Sequence, residues 1–221
     1  MAIIGRIYQS LPNKLKNISR NFLDSHPLIR WYFAENSYLR TKGWMRSEQV
    51  GAPVDRQGNP VPWYTYPAID FIKPRLEQDF RVFEFGSGHS SLWYSNLVDE
   101  VVAVEDSAEW VSEMRDRAPP NLTVVHQPDL TDYPAEVLGR GDFDIIVIDG
   151  LARQECVKPT LKAISDNGVV ILDDFERWHD RDWRSLREQG FRSLSFTGPK
   201  AQRLTTSCTA VLYRDQNCLD L

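Results

Sequence analysis

Val82-Phe83-Glu84-Phe85-Gly86-Ser87-Gly88-His89-Ser90-Ser91 is the stretch that decides the fold. Val82 to Phe85 read as a short buried strand. Two glycines then let the backbone turn tightly and approach a ligand closely. The helix expected from Ser91 to Leu97 would offer unpaired N–H groups at its start. A strand, a glycine turn and a helix in this order form the opening unit of an open α/β sheet.

The same texture continues on the C-terminal side. Val101–Val104, Leu122–Val125, Ile145–Ile148 and Val169–Leu172 are further short apolar runs. Helical patterns over Ala108–Ala118 and Arg153–Ser165 separate most of them. Strands alternating with helices predict crossover units and a mainly parallel sheet with helices on both faces. A polar helix is expected from Trp178 to Gln189. Ser193–Phe196 and Cys208–Tyr213 then read as two trailing strands. The link Thr197–Thr206 is too short for a helical crossover, so this pair is expected to be antiparallel. The predicted fold is a Rossmann-like, seven-stranded, mainly parallel α/β sheet with an antiparallel last strand.

On the N-terminal side, the first 45 or so residues read as helical, with Ile3, Ile4, Ile7 and Leu11 at helical spacing. Gly51–Pro62 is rich in Gly, Pro and polar residues and reads as a loop. Residues 1–62 are therefore assigned to a helical extension with a lid or acceptor-side role, and 63–221 to the main domain.

Ligands of open α/β sheets bind at the carboxyl ends of the strands. The second strand ends in Glu105-Asp106, with Glu105 17 residues after Gly88. An acidic side chain there can accept the hydroxyl hydrogens of a ribose, while Asp106 or Ser107 can cap the next helix. A nucleoside-containing ligand over the first two strands is the reading that both signals share. The third glycine of a dinucleotide fingerprint is replaced by Ser91.

Composition narrows the partners. Lys plus Arg number 26 against 31 Asp plus Glu, a formal charge of −5, which is a poor match to a general nucleic-acid binder. Hydrophobic residues at 42% and charged residues at 26% place the chain among globular proteins. Cys156, Cys208 and Cys218 form no disulfide framework, and a reduced, cytoplasmic compartment is expected. No apolar run approaches the ~20 residues of a membrane span.

The segments FEFGSGHSS, VVAVEDS, FDIIVIDG and GVVILDDFER together resemble a class I S-adenosylmethionine-dependent methyltransferase over roughly residues 63–214. Within that family the arrangement is similar to the metal-dependent O-methyltransferases that act on sugars and natural products. The resemblance implies that Glu84, Gly86, Ser87, Gly88 and Ser90 shape the methionine end of the cofactor pocket. It implies that Glu105 and Asp106 meet the ribose side, Asp129 the adenine, and Asp149 the cofactor from the fourth strand. Asp129 can equally stabilise a turn. Trp63–Tyr66 fall where family members close over the cofactor, or they pack the N-terminal helices.

Asp149, Asp173 and Asp174 end adjacent strands. Such an oxygen cluster suits Mg²⁺, which would bind and orient an acceptor hydroxyl. Alternatively these residues order their loops. Asp149 and His179 are the candidate catalytic residues, with His89 placed in the glycine loop. The expected activity is methyl transfer from S-adenosylmethionine to a hydroxyl of a carbohydrate or natural product, with Mg²⁺ as a second ligand. Aromatic residues near the N-terminus would permit a homodimer, and the sequence leaves the oligomeric state open. The competing readings are an NAD-dependent oxidoreductase and a non-catalytic cofactor-binding scaffold.

Overall fold

The computed structural model describes residues 37–221. The helices expected within residues 1–36 lie outside the described residues. The chain divides into two compact units, 1–42 and 43–221. Of the first, a single helical turn is described, α1 (Tyr38–Thr41), closed by the Thr41 hydroxyl donating to the Tyr38 carbonyl at 2.7 Å.

The second unit opens with α2 (Trp44–Val50). Gly43 begins it at φ +88°, and a Cβ there would lie 2.3 Å from the Asp55 backbone. The loop that follows belongs to this unit and is firmly built. Ser47 Oγ donates to the Val54 carbonyl at 2.9 Å and accepts from the Val54 N–H at 3.0 Å. The Asp55 carboxylate accepts from the Gln57 and Asn59 backbone N–H groups at 2.8 and 2.9 Å. A helix α3 (Tyr66–Ile72) leads into the sheet, with Pro67 in its first turn where a missing N–H costs nothing.

The core elements are β1 (Arg81–Phe85), α4 (His89–Ser95), β2 (Glu100–Glu105), α5 (Ala108–Arg117) and β3 (Leu122–His126). Then come β4 (Phe143–Ile148), α6 (Arg153–Ala163), β5 (Ile164–Leu172), α7 (Arg184–Glu188), β6 (Arg192–Lys200) and β7 (Arg203–Tyr213). They form one seven-stranded sheet in the order β3-β2-β1-β4-β5-β7-β6. The first five strands are parallel, and β7 runs antiparallel to both β5 and β6. This is the expected Rossmann-like sheet.

Central strands of such a sheet are covered on both faces, which is why they read as continuous apolar runs. Phe83, Phe85, Ile146, Ile148, Val170 and Leu172 are all fully buried. Phe83 meets Phe85 edge-on at 4.9 Å and Phe143 at 5.3 Å. Burying each such side chain contributes roughly 1.5–3 kcal/mol.

The trailing region departs from expectation. Thr197–Thr206 is strand on both sides of a two-residue turn at Ala201-Gln202, with Lys200 paired to Arg203. β6 is an edge strand, so its outer residues meet solvent and Pro199 leaves no ladder bond unmade. The polar helix is confined to five residues, 184–188.

Candidate functional site

Strand order reverses between β1 and β4, and their carboxyl ends lie side by side. The Asp149 N–H donates to the Phe85 carbonyl at 3.0 Å, and the Gly86 N–H to that of Val104 at 2.9 Å. Gly86 adopts φ +99°, and a Cβ there would lie 3.0 Å from Gly150. A Cβ on Gly150 would lie 2.2 Å from Tyr133 Oη and 2.7 Å from the Gly86 nitrogen. The two loops therefore touch backbone to backbone. Gly150 is a site-forming residue that sequence reading passed over, although it follows Asp149 directly.

Glu84 is almost wholly buried. The Ser91 hydroxyl donates to its carboxylate and accepts from the Gly88 N–H at 3.1 Å. Ser91, the residue that breaks the dinucleotide fingerprint, thus ties the glycine loop to Glu84. Burial drives the Glu84 pKa up from 4.5 to about 7, against the lowering effect of bonds from Ser91 and Ser90.

Glu105 holds the same loop from the other side. Its Oε2 accepts from the Ser87 N–H at 3.1 Å and the Ser87 hydroxyl at 3.2 Å. Its Oε1 accepts from the Asp106 and Ser107 N–H groups, both at 3.2 Å. Ser107, rather than Asp106, caps α5, accepting from the Trp110 N–H at 3.3 Å. The Trp110 indole N–H donates to the Ser87 carbonyl at 2.8 Å, which fixes the ring beside the loop.

Two cavities meet here. The smaller, about 310 Å³, is lined by Glu84, Gly86, Ser87, Ser90, Glu105 and Asp106, with Asp149, Gly150, Leu151 and Arg153 opposite. The larger, about 650 Å³, is walled by Val50, Pro53, Val54, Trp63 and Trp110, with Arg46, His89, Arg117 and Gln202 among its polar groups. Both volumes fall in the range of small-molecule sites. Ser87, Ser90 and Asp149 line both. Trp63 is held by its indole N–H donating to the Ala201 carbonyl at 2.7 Å.

Asp149 stands at the junction. Its Oδ1 accepts from Arg153 at 2.9 Å, and its Oδ2 accepts no hydrogen bond from the described residues. Burial at the strand end and the nearby charge of Asp173 hold it well above the usual carboxylate range, opposed by Arg153. Arg153 also donates to the Asp149, Gly150 and Asp173 carbonyls at 2.9, 3.1 and 3.0 Å, joining the ends of β4 and β5. The loops on either side are backbone-strained, with Ala152 at φ 47° and Asp174 at φ 49°.

The remaining expectations fare differently. Asp129 is exposed and lines neither cavity; its Oδ1 accepts from the Thr131 N–H at 2.8 Å, so it is a turn residue. His179 lies in an exposed turn outside both cavities, its backbone N–H donating to Asp182 at 2.8 Å. His89 does line the larger cavity, where burial and Arg117 lower its pKa.

The carboxylates at the end of β5 do not fit Mg²⁺, because a protein cation already fills them. Lys200 Nζ donates to Asp173 Oδ2 at 3.0 Å and to Asp174 Oδ1 at 2.6 Å. Thr209 donates to Asp173 Oδ1 at 2.7 Å, and Ser207 to Asp174 Oδ1 at 3.2 Å. Arg177 lies 3.4 Å from Asp174 Oδ2. Among the described residues, no three His, Cys, Asp or Glu side chains are arranged to hold a metal ion. The expected metal set of Asp149, Asp173 and Asp174 is thus corrected to a pair of ion-paired clusters, one on Arg153 and one on Lys200.

Among the described residues, no helix is long and apolar enough to cross a membrane. No family model and no curated protein matches the sequence. Solved structures do match. An rRNA methylase from Streptococcus thermophilus aligns with a TM-score of 0.50 at 13% identity, over 67% of this chain and 95% of that one. A methyltransferase-like protein from Silicibacter pomeroyi aligns at 0.49 and 19% identity, over 71% and 89%. Precorrin-6y C5,15-methyltransferase from Geobacter metallireducens aligns at 0.48 and 18%, over 66% and 86%. At these identities the likeness is one of fold alone: the Rossmann-like sheet described above.

Proposed function

We propose that the chain is an S-adenosylmethionine-dependent methyltransferase acting on a hydroxyl of a ring-bearing small molecule. The observation that carries this reading is the meeting of two cavities at Asp149, Ser87 and Ser90. The smaller cavity joins a ribose-binding carboxylate, Glu105, to a glycine turn. The larger has an apolar and aromatic wall. When bound, the cofactor supplies an electrophilic methyl group on a sulfonium.

The residues of this chain then position and deprotonate. Glu105 accepts ribose hydroxyl hydrogens, and the Gly86–Ser90 backbone closes over the rest of the ligand. Trp63 and Trp110, each held through its indole N–H, give the acceptor rigid flat faces at little entropic cost. Asp149 Oδ2 receives the acceptor's hydroxyl proton, a role its raised pKa suits. Excluding water between these walls leaves most of the catalysis to orientation.

Thermal unfolding with S-adenosylhomocysteine, with NAD⁺ as the control ligand, tests the cofactor class. Ligand at 100 times its Kd stabilises by ~2.7 kcal/mol, a rise of roughly 5–10 °C in a domain of this size. The rise is expected with S-adenosylhomocysteine and is lost in Glu105→Ala. A rise with NAD⁺ alone overturns the proposal in favour of an oxidoreductase. Binding without transfer of labelled methyl to any hydroxylated acceptor pool favours a scaffold.

A further inference from the structure

The β6–β7 hairpin ends at the site, and one buried cation joins it to β5. Lys200 is 3% exposed, and Asp173 and Asp174 are 1% and 7% exposed. Burial alone would lower the lysine pKa, but the two carboxylates more than offset it, and the ammonium sits above the ordinary lysine range. The Lys200 backbone bridges to Thr65, and the Thr65 N–H donates to Thr209 Oγ1 at 3.0 Å. The next residue, Ala201, accepts the Trp63 indole N–H, and the one after, Gln202, lines the larger cavity.

We propose that Lys200 is a built-in cation that takes the place of a divalent metal at this rim, docking the hairpin tip so that Trp63 and Gln202 form a wall of the larger cavity. An ammonium with two carboxylate partners offsets one of their two charges and fixes their directions, as an oxygen-bound cation does. Being covalently part of β6, it also fixes the hairpin, which a free ion would not. Lys200 is a positioning residue on this view. The proposal concerns charge and packing only, and it stands or falls independently of the cofactor.

The test compares wild type with Lys200→Ala, using Mn²⁺ as the probe and reading bound Mn²⁺ by electron paramagnetic resonance alongside the melting temperature. Wild type is expected to bind no stoichiometric Mn²⁺ and to melt at the same temperature with EDTA or Mn²⁺. Lys200→Ala is expected to melt lower, to bind one Mn²⁺ between the vacated carboxylates, and to recover part of the loss. Stoichiometric Mn²⁺ on wild type that disappears in Asp174→Asn overturns the proposal. So does a folded Lys200→Ala that binds no Mn²⁺. Should Lys200→Ala fail to fold, the pair Lys200→Met with Asp173→Asn removes one charge of each sign. Its folding supports charge compensation, and its failure to fold refutes it.

Discussion

Replacing Glu84 with Gln should change how stability depends on pH, and by an amount the structure sets. The side chain is 1% exposed, and its pKa is raised by burial from 4.5 to about 7 in the folded chain. The folded state therefore holds this proton more tightly than the unfolded state. Below pH 4.5 both states carry it and the favourable contribution is fully present. Between 4.5 and about 7 the unfolded state ionises first, and stability falls as pH rises. Above 7 both states are ionised and the contribution is gone. At 1.36 kcal/mol per unit, the interval corresponds to roughly 3 kcal/mol. Glu84→Gln keeps the shape and can still accept from Ser91, but it has no proton to lose. Urea unfolding of ligand-free wild type and variant at half-unit steps from pH 4.5 to 8 isolates the effect, because every other titrating group largely cancels in the difference. Relative to the variant, wild type should lose roughly 3 kcal/mol across that range, most steeply between pH 5 and 6.5. A difference that stays constant within about 0.5 kcal/mol would refute the account of Glu84 as a carboxyl strained by burial.

Other substitutions probe the scaffold around it. Gly150→Ala puts a methyl group against Tyr133 Oη and the Gly86 backbone, so it should cost about 1–3 kcal/mol in denaturant unfolding; adding Tyr133→Phe should return only the part due to the hydroxyl. Ser47→Ala leaves both the N–H and the carbonyl of Val54 unpartnered by that side chain, a loss of about 1–3 kcal/mol, with the larger cavity's wall loosened as read by amide exchange around Pro53–Val54. Arg153→Lys cannot reproduce four donations from a planar fork, so it should destabilise by about 1–3 kcal/mol although the charge is kept.

The parallel half of the fold was legible because strands buried on both faces have nothing polar to hide their outline. Val101–Val104 and Ile145–Ile148 are such cases. The two trailing strands and their antiparallel pairing were legible as well, but not how far the hairpin runs, because the end of β6 lies at the sheet edge and carries Gly198 and Pro199. Gly198 and Pro199 there look like a loop, and on an inner strand they would have been one. Glu84, Glu105 and Asp149 were picked out from their places at strand ends, a rule that depends on topology alone, and all three line the smaller cavity. Lys200 was missed because a lysine is rarely buried, and its partners lie 26 and 27 residues earlier in the chain, at the end of β5. Without that cation in view, three carboxylates at one rim read as a metal centre. Asp129 and His179 also follow strand ends, but each is exposed and lines neither cavity.

The contact between Gly86 and Gly150 has a consequence for recognising kin of this chain. The two positions lie 64 residues apart, yet neither can take a side chain while the other loop stays where it is. They behave as one requirement written in two places. The rRNA methylase that shares this sheet is only 13% identical to the chain. At that distance a tally of identical letters says little. The joint presence of a glycine after β1 and a glycine just after β4 weighs more, because the contact between the two loops demands them together.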